Sequence, residues 1–202
     1  MVSATPNVNY VASGLLLPIP LAGDSALELC NTFAGWAEDA GREYLLSYEH
    51  LAVWARERGF VAAREATQIV RDARASPQEA ARVLERATCL RRAFYAVATG
   101  DATEADRAAV AREAELAAAS ARLDWGQRGA GWVLPATLEL PLLAVARRIG
   151  SFVTDPVRVG RCPGDVCGWL FADPRGRRRW CSMATCGNRA KVRRHAARTA
   201  GR

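Results

Sequence analysis

The sequence predicts a mainly α chain of α+β character: a multihelical N-terminal domain with one small β-hairpin, followed by a small four-cysteine finger. Three observations support this. Helix start and stop signals recur through residues 1–154, and glycines punctuate an aromatic stretch at 123–135. Near the end, Cys162, Cys167, Cys181 and Cys186 stand in a C-x4-C-x13-C-x4-C pattern.

Asp24 can cap a helix carrying Leu27, Leu29, Phe33 and Trp36 and ending near Asp39. Ser47 opens a second, with Leu51, Val53 and Trp54 inward and Gly59 as its stop. Ser76-Pro77-Gln78-Glu79 has the form of a capping box with proline at the first helical position. The helix behind it runs to Thr99, with Val83, Leu84, Leu90, Phe94 and Val97 as its buried stripe, and Gly100 ends it. An alanine-rich helix from Thr103 to Ala121 lacks bulky side chains and should pack closely on a neighbour or lie at an edge. Leu123 and Trp125, then Trp132 and Leu134, flank Gly126, Gly129 and Gly131, which predicts the hairpin. Leu138 to Val153 returns to helix. Thr154-Asp155-Pro156 marks the boundary, giving domains 1–154 and 155–202.

Half of the 202 residues are hydrophobic and 24% are charged, as expected of a chain with a real core. The net charge of +7 is unevenly spread: residues 151–202 hold twelve Lys/Arg against three acids. A nearly neutral body with a basic end points to a polyanionic partner at that end. No apolar stretch is long enough to span a membrane. The apolar run Val11–Ala22 is interrupted by Pro18 and Pro20 and has no basic residue before it, so a cytoplasmic rather than secreted protein is expected. Cys30 and Cys89, alone in apolar surroundings, are expected to be small buried hydrophobes.

Clustered cysteines in a reducing compartment read as metal ligands rather than disulfides. Two short chelating pairs joined by a longer connector suit one Zn²⁺, bound by four thiolates at about 2.3 Å with no coordination position left open. An iron–sulfur cluster is the remaining alternative. Between the pairs, Trp169, Leu170 and Phe171 precede the turn residues Asp173-Pro174-Arg175-Gly176, so a short hairpin is expected there. Trp169, Phe171 and Trp180 would form its core. After Cys186 the sequence reads as a basic helix. Lys191, Arg194 and Arg198 share one face, with Arg189 and Arg193 on an adjacent one. Together with Arg175, Arg177, Arg178 and Arg179, these residues suit contacts to the phosphates or groove edges of nucleic acid. A solvated face is the competing assignment.

Cys162-Pro163, Cys167, Trp169 to Asp173, Arg179 to Met183 and Cys186 to Lys191 closely resemble the CGNR zinc finger. Its defining Cys-Gly-Asn-Arg run stands here at 186–189. The body, with Leu27-Glu28-Leu29-Cys30-Asn31-Thr32 near its start, resembles the ABATE domain found before that finger. The resemblance implies a bacterial stress-induced transcription regulator with a DNA-binding, treble-clef-like finger whose last two ligands sit at a helix N-terminus. An RNA-binding module, and a small-molecule-binding body with the finger as a protein-interaction element, are the rival readings. A homodimer is expected, because a single small finger binds weakly alone. If Asn31, Thr32 and Arg91 faced one pocket they could hold a small anionic effector. The simpler assignment gives Asp24 a helix cap and Asn31 and Thr32 backbone hydrogen bonds. No phosphate loop, dinucleotide fingerprint or nucleophile motif argues for an enzyme.

Overall fold

Ser13 and Gly14, at φ 50° and 77°, turn the chain back between strands β1 (Asn9–Ala12) and β2 (Leu15–Pro18). Two successive left-handed residues are what a tight hairpin turn needs. The computed structural model describes residues 8–36, 41–126, 129–164 and 166–200. Helix α1 (Ser25–Cys30) follows, with Asp24 accepting from the Ala26 N–H at 2.8 Å, the cap its sequence predicts. It is shorter than expected. The Thr32 hydroxyl folds back onto the Leu29 carbonyl at 2.6 Å, and Phe33–Ala34 (β3) instead pairs with Arg42–Glu43 (β4). Asp39, the expected helix end, lies outside the described residues.

Ser47 caps α2 (Tyr48–Glu57), and Gly59 at φ 74° follows its end. A helix absent from the sequence reading comes next, α3 (Ala63–Ala75). Its start lacks a side-chain cap acceptor, although Glu65 reaches back to the Ala62 N–H at 3.0 Å. Helix α4 (Pro77–Thr99) begins and ends where expected, with Gly100 left-handed at φ 83°. The capping box at Ser76 does not form, because Ser76 also terminates α3 and its φ of −130° and ψ of 61° leave its hydroxyl without a cap hydrogen bond. A genuine box opens α5 (Glu104–Ser120), where Thr103 and Asp106 bond each other's N–H groups.

The hairpin is β5 (Arg122–Gly126) with β6 (Gly129–Val133), and α6 (Leu140–Thr154) closes this part. The alanine surface of α5 packs closely on α6: a Cβ added to Gly150 would stand 3.2 Å from that of Ala114. Phe94 of α4 meets Phe152 of α6 edge to face at 5.5 Å. Cys89 departs from expectation, being exposed on α4, whereas Cys30 is buried.

One polar cluster ties the helices together. Arg86 of α4 donates to both carboxylate oxygens of the buried Glu113 on α5, at 3.1 and 2.8 Å, and also to Glu139. Arg86→Met would leave the Glu113 carboxylate buried without its guanidinium, an expected loss of about 3 kcal/mol in urea unfolding. Adding Glu113→Leu to that variant should restore most of the loss.

Residues Leu45–Pro156, which hold α2 to α6, form one compact unit. The other joins the two ends of the chain, Met1–Tyr44 with Val157–Arg202. This second unit contains β1 to β4 and α1, and then β7 (Val159–Arg161), β8 (Leu170–Ala172) and α7 (Asn188–Ala200). Among the described residues, no helix is long and apolar enough to cross a membrane.

Candidate metal centre

Strands β7 and β8 pair antiparallel, with Gly160 opposite Phe171. Glycine is required there, since an added Cβ would lie 2.3 Å from the Phe171 ring. The hairpin expected between the two cysteine pairs instead encloses the first pair: Cys162 and Cys167 both lie in the connection between β7 and β8. The ladder extends into that connection through Cys162 N–H to Trp169 C=O at 2.8 Å. A turn bond from Cys167 N–H to Gly164 C=O at 2.9 Å and a left-handed Gly168 then bend the chain around the sulfurs. Gly164 lies so close that a Cβ would approach Cys186 Sγ at 3.0 Å.

After β8, the Asp173 carboxylate accepts from the N–H groups of Arg177 and Arg178, at 2.9 and 3.2 Å, and turns the chain back toward Cys181. Cys186 sits in a π-helical turn (Met183–Gly187) that runs directly into α7. A Cβ on Gly187 would come 2.7 Å from the end of the exposed Met183 side chain, which can swing aside.

The four Sγ atoms lie within 4.8 Å of one another, and Cys181 is 3.6 Å from both Cys167 and Cys186. A tetrahedron of sulfurs about 2.3 Å from zinc has edges of about 3.8 Å, so the group fits the ion; a disulfide would need about 2.05 Å. Hydrogen bonds from Cys167, Cys181 and Cys186 hold the Cys162 thiol below its ordinary range, and bonding to Cys162 together with burial pushes Cys167 and Cys181 up. A divalent ion binding the four thiolates displaces whatever thiol protons remain. The fit is to one structural Zn²⁺.

The N-terminal segment completes this centre, which the sequence did not reveal. Asn31, immediately after α1, donates its amide N–H to the Leu170 carbonyl and accepts from the Leu170 N–H, both at 2.9 Å. The Ala172 N–H reaches the Ala22 carbonyl at 2.7 Å, so the outer edge of β8 is covered by residues from the other end of the chain. Trp169 Nε1 donates to the Phe33 carbonyl at 2.9 Å, and Gly35 N–H donates to that of Cys167 at 3.2 Å. Tyr44, Trp169 and Phe171 are buried with Cys162, Cys181 and Cys186 in a single small core, and Trp180 packs half-buried against it.

The basic residues divide into separate groups. Arg175, Arg177 and Arg179 are exposed in the loop, as are Arg189, Lys191, Arg193, Arg194 and Arg198 on α7. Arg178 is used internally: its guanidinium lies 4.5 Å over the Phe171 ring and donates to the carbonyls of Leu21, Trp180 and Cys181. Of the residues considered for an effector, Asn31 and Thr32 use their side chains on backbone groups within the metal unit. Arg91 is buried in the helical unit.

Comparison with known proteins agrees with this geometry. Residues 158–199 match the family model of the CGNR zinc finger. Residues 23–156 match that of the ABATE family, described as "Putative stress-induced transcription regulator". No curated protein matches the chain at a significant level. The chain belongs to the ABATE family and carries a CGNR zinc finger behind that domain.

Proposed function

We propose that this chain is a cytoplasmic, zinc-dependent DNA-binding regulator of transcription, acting as a homodimer. The observation that carries the reading is α7, which starts at the metal turn, contains no acidic residue and is exposed at every described position except the half-buried Ala190. A helix of this kind has no apolar face to bury, and its complement is a polyanion. Lys191, Arg194 and Arg198 would lie along DNA, with Arg175, Arg177 and Arg179 gripping the backbone. Arg178 is left out of this surface because its guanidinium holds the loop together.

Four thiolates close the zinc coordination sphere, which supports a structural rather than a catalytic role for the ion. Burial of Trp169 and Phe171 takes two of the finger's aromatic rings out of reach of the base stacking that single-stranded RNA recognition uses, which supports duplex DNA as the partner. Dimerisation would double the contacts, and the exposed Trp125 and Trp132 on the β5–β6 hairpin support self-association.

The test is the salt dependence of duplex binding by the zinc-loaded chain, read by fluorescence anisotropy. Neutralising about five or six phosphates predicts a log–log slope of about −5. A slope near zero would remove the electrostatic basis of the proposal.

A further inference from the structure

Every residue of β5 is exposed, and on β6 only Val133 is half-buried. The register sets Leu123 opposite Trp132 and Trp125 opposite Ala130, so these four side chains share one face of the hairpin. Leu123, Trp125 and Trp132 keep 49%, 79% and 57% of their surface in solvent. Arg147 of α6 lies 5.7 Å from the Trp132 ring and still leaves more than half of that residue uncovered. A two-stranded hairpin is marginally stable by itself, and this one presents two tryptophans to water.

The two edges of the hairpin differ. Gly126 and Gly129 face each other across two intervening residues, and such a closing pair is hydrogen-bonded. Pairs alternate from there. Asp124–Gly131 and Arg122–Val133 exchange bonds, while Leu123, Trp125, Ala130 and Trp132 turn their N–H and C=O groups outward. On β5 that edge is protected: the Asp124 carboxylate accepts from the outward Trp125 N–H at 3.1 Å and lies 3.7 Å from the Arg122 guanidinium. On β6 it is open. Gly129-Ala130-Gly131-Trp132-Val133 carries neither charge nor proline. Among the described residues, the outward backbone groups of Ala130 and Trp132 have no partner.

The open edge is complementary to itself. A two-fold axis through Gly131 sets Ala130 against Trp132 of a second copy, and Trp132 against the Ala130 of that copy. Both become hydrogen-bonded pairs, so every outward group between them is satisfied. Each row across the joined sheet then reads Leu123 and Trp132 of one copy, followed by Ala130 and Trp125 of the other. The small alanine lies between two indole rings, which can meet over its methyl group. The same operation on β5 would set Asp124 against Asp124, like charge on like.

We propose, resting on the homodimer reading above, that two copies join edge to edge through β6 into one four-stranded antiparallel sheet with a shared tryptophan face. The contact is at the small end for specific interfaces, so a dissociation constant on the order of micromolar is expected. Dimerisation by this route needs no nucleic acid.

The experiment uses the full-length, zinc-loaded chain carrying Cys89→Ala, which removes an exposed thiol. Sedimentation equilibrium gives the dimer constant of this protein and of its Ala130→Pro and Ala130→Lys variants. Ala130→Pro deletes an outward N–H without touching the ladder inside the hairpin, and Ala130→Lys puts a charge on the open edge. Either change should weaken the dimer about tenfold or more. Gly131→Cys is the independent probe. A Cβ there meets nothing within 4 Å, and facing residues on the axis stand about 4.5 Å apart, within disulfide reach. Mild oxidation should give a covalent dimer that dithiothreitol cleaves, with zinc content unchanged. Gly126→Cys, on the far strand, should give none. A dimer unaffected by both Ala130 changes, or a Gly131→Cys variant that cross-links no better than Gly126→Cys, would overturn the β6 interface and leave the homodimer standing. A chain that stays monomeric throughout would overturn both.

Discussion

Replacing Cys181 with serine is expected to abolish stoichiometric zinc binding and to unfold both ends of the chain together. Cys181 Sγ is central to the cluster, 3.6 Å from two of its three partners, and is almost completely buried. A serine oxygen is a poor replacement for a thiolate on Zn²⁺, and the three remaining thiolates would crowd without the ion. The core of this unit is small, with Tyr44, Trp169 and Phe171 as its fully buried aromatics. It therefore depends on the ion, whose binding contributes on the order of 10 kcal/mol to folding of such sites. Hydrogen exchange should show lost protection in residues 8–36 as well as 157–200, while α4 to α6, with their own apolar core, remain protected. Protection of residues 8–36 in a zinc-free variant would contradict the single-unit account.

Asn31→Ala is the second large effect. It removes two buried hydrogen bonds at once and leaves the N–H and C=O of Leu170 without partners at the centre of the core. Stranded backbone groups of this kind cost about 1–3 kcal/mol each, so a loss of about 3 kcal/mol is expected. Because folding of the unit and metal retention are coupled, zinc affinity should fall roughly a hundredfold in competition with a chelator. A fragment beginning at residue 157 should bind zinc at least as poorly, since it lacks every residue that covers the outer edge of β8. Undiminished affinity in both would mean that the finger is self-sufficient.

The metal ligands were legible because zinc imposes short, local spacing on its cysteines. Helix ends at Asp24, Ser47, Thr103 and Gly100 were legible for a similar reason, since capping acts over three or four residues. Helix α3 was not, because it buries only Ala66 and Ile69 and begins at an alanine that cannot cap it. The β1–β2 hairpin lay hidden in an apolar run without alternation, where Ser13-Gly14 was the single turn signal. The pairing of Asn31 with Leu170 spans 139 residues and leaves no local pattern at all.

The most direct test of the account compares duplex DNA binding by the zinc-loaded chain with that of Lys191→Ala/Arg194→Ala/Arg198→Ala, at matched zinc content and fixed salt. These side chains are exposed and lie outside the metal core, so the variant should fold and hold its ion. Loss of three phosphate contacts predicts affinity lower by about a hundredfold, together with a salt slope shallower by about three. Equal affinity in the two proteins would contradict a DNA-binding role for α7.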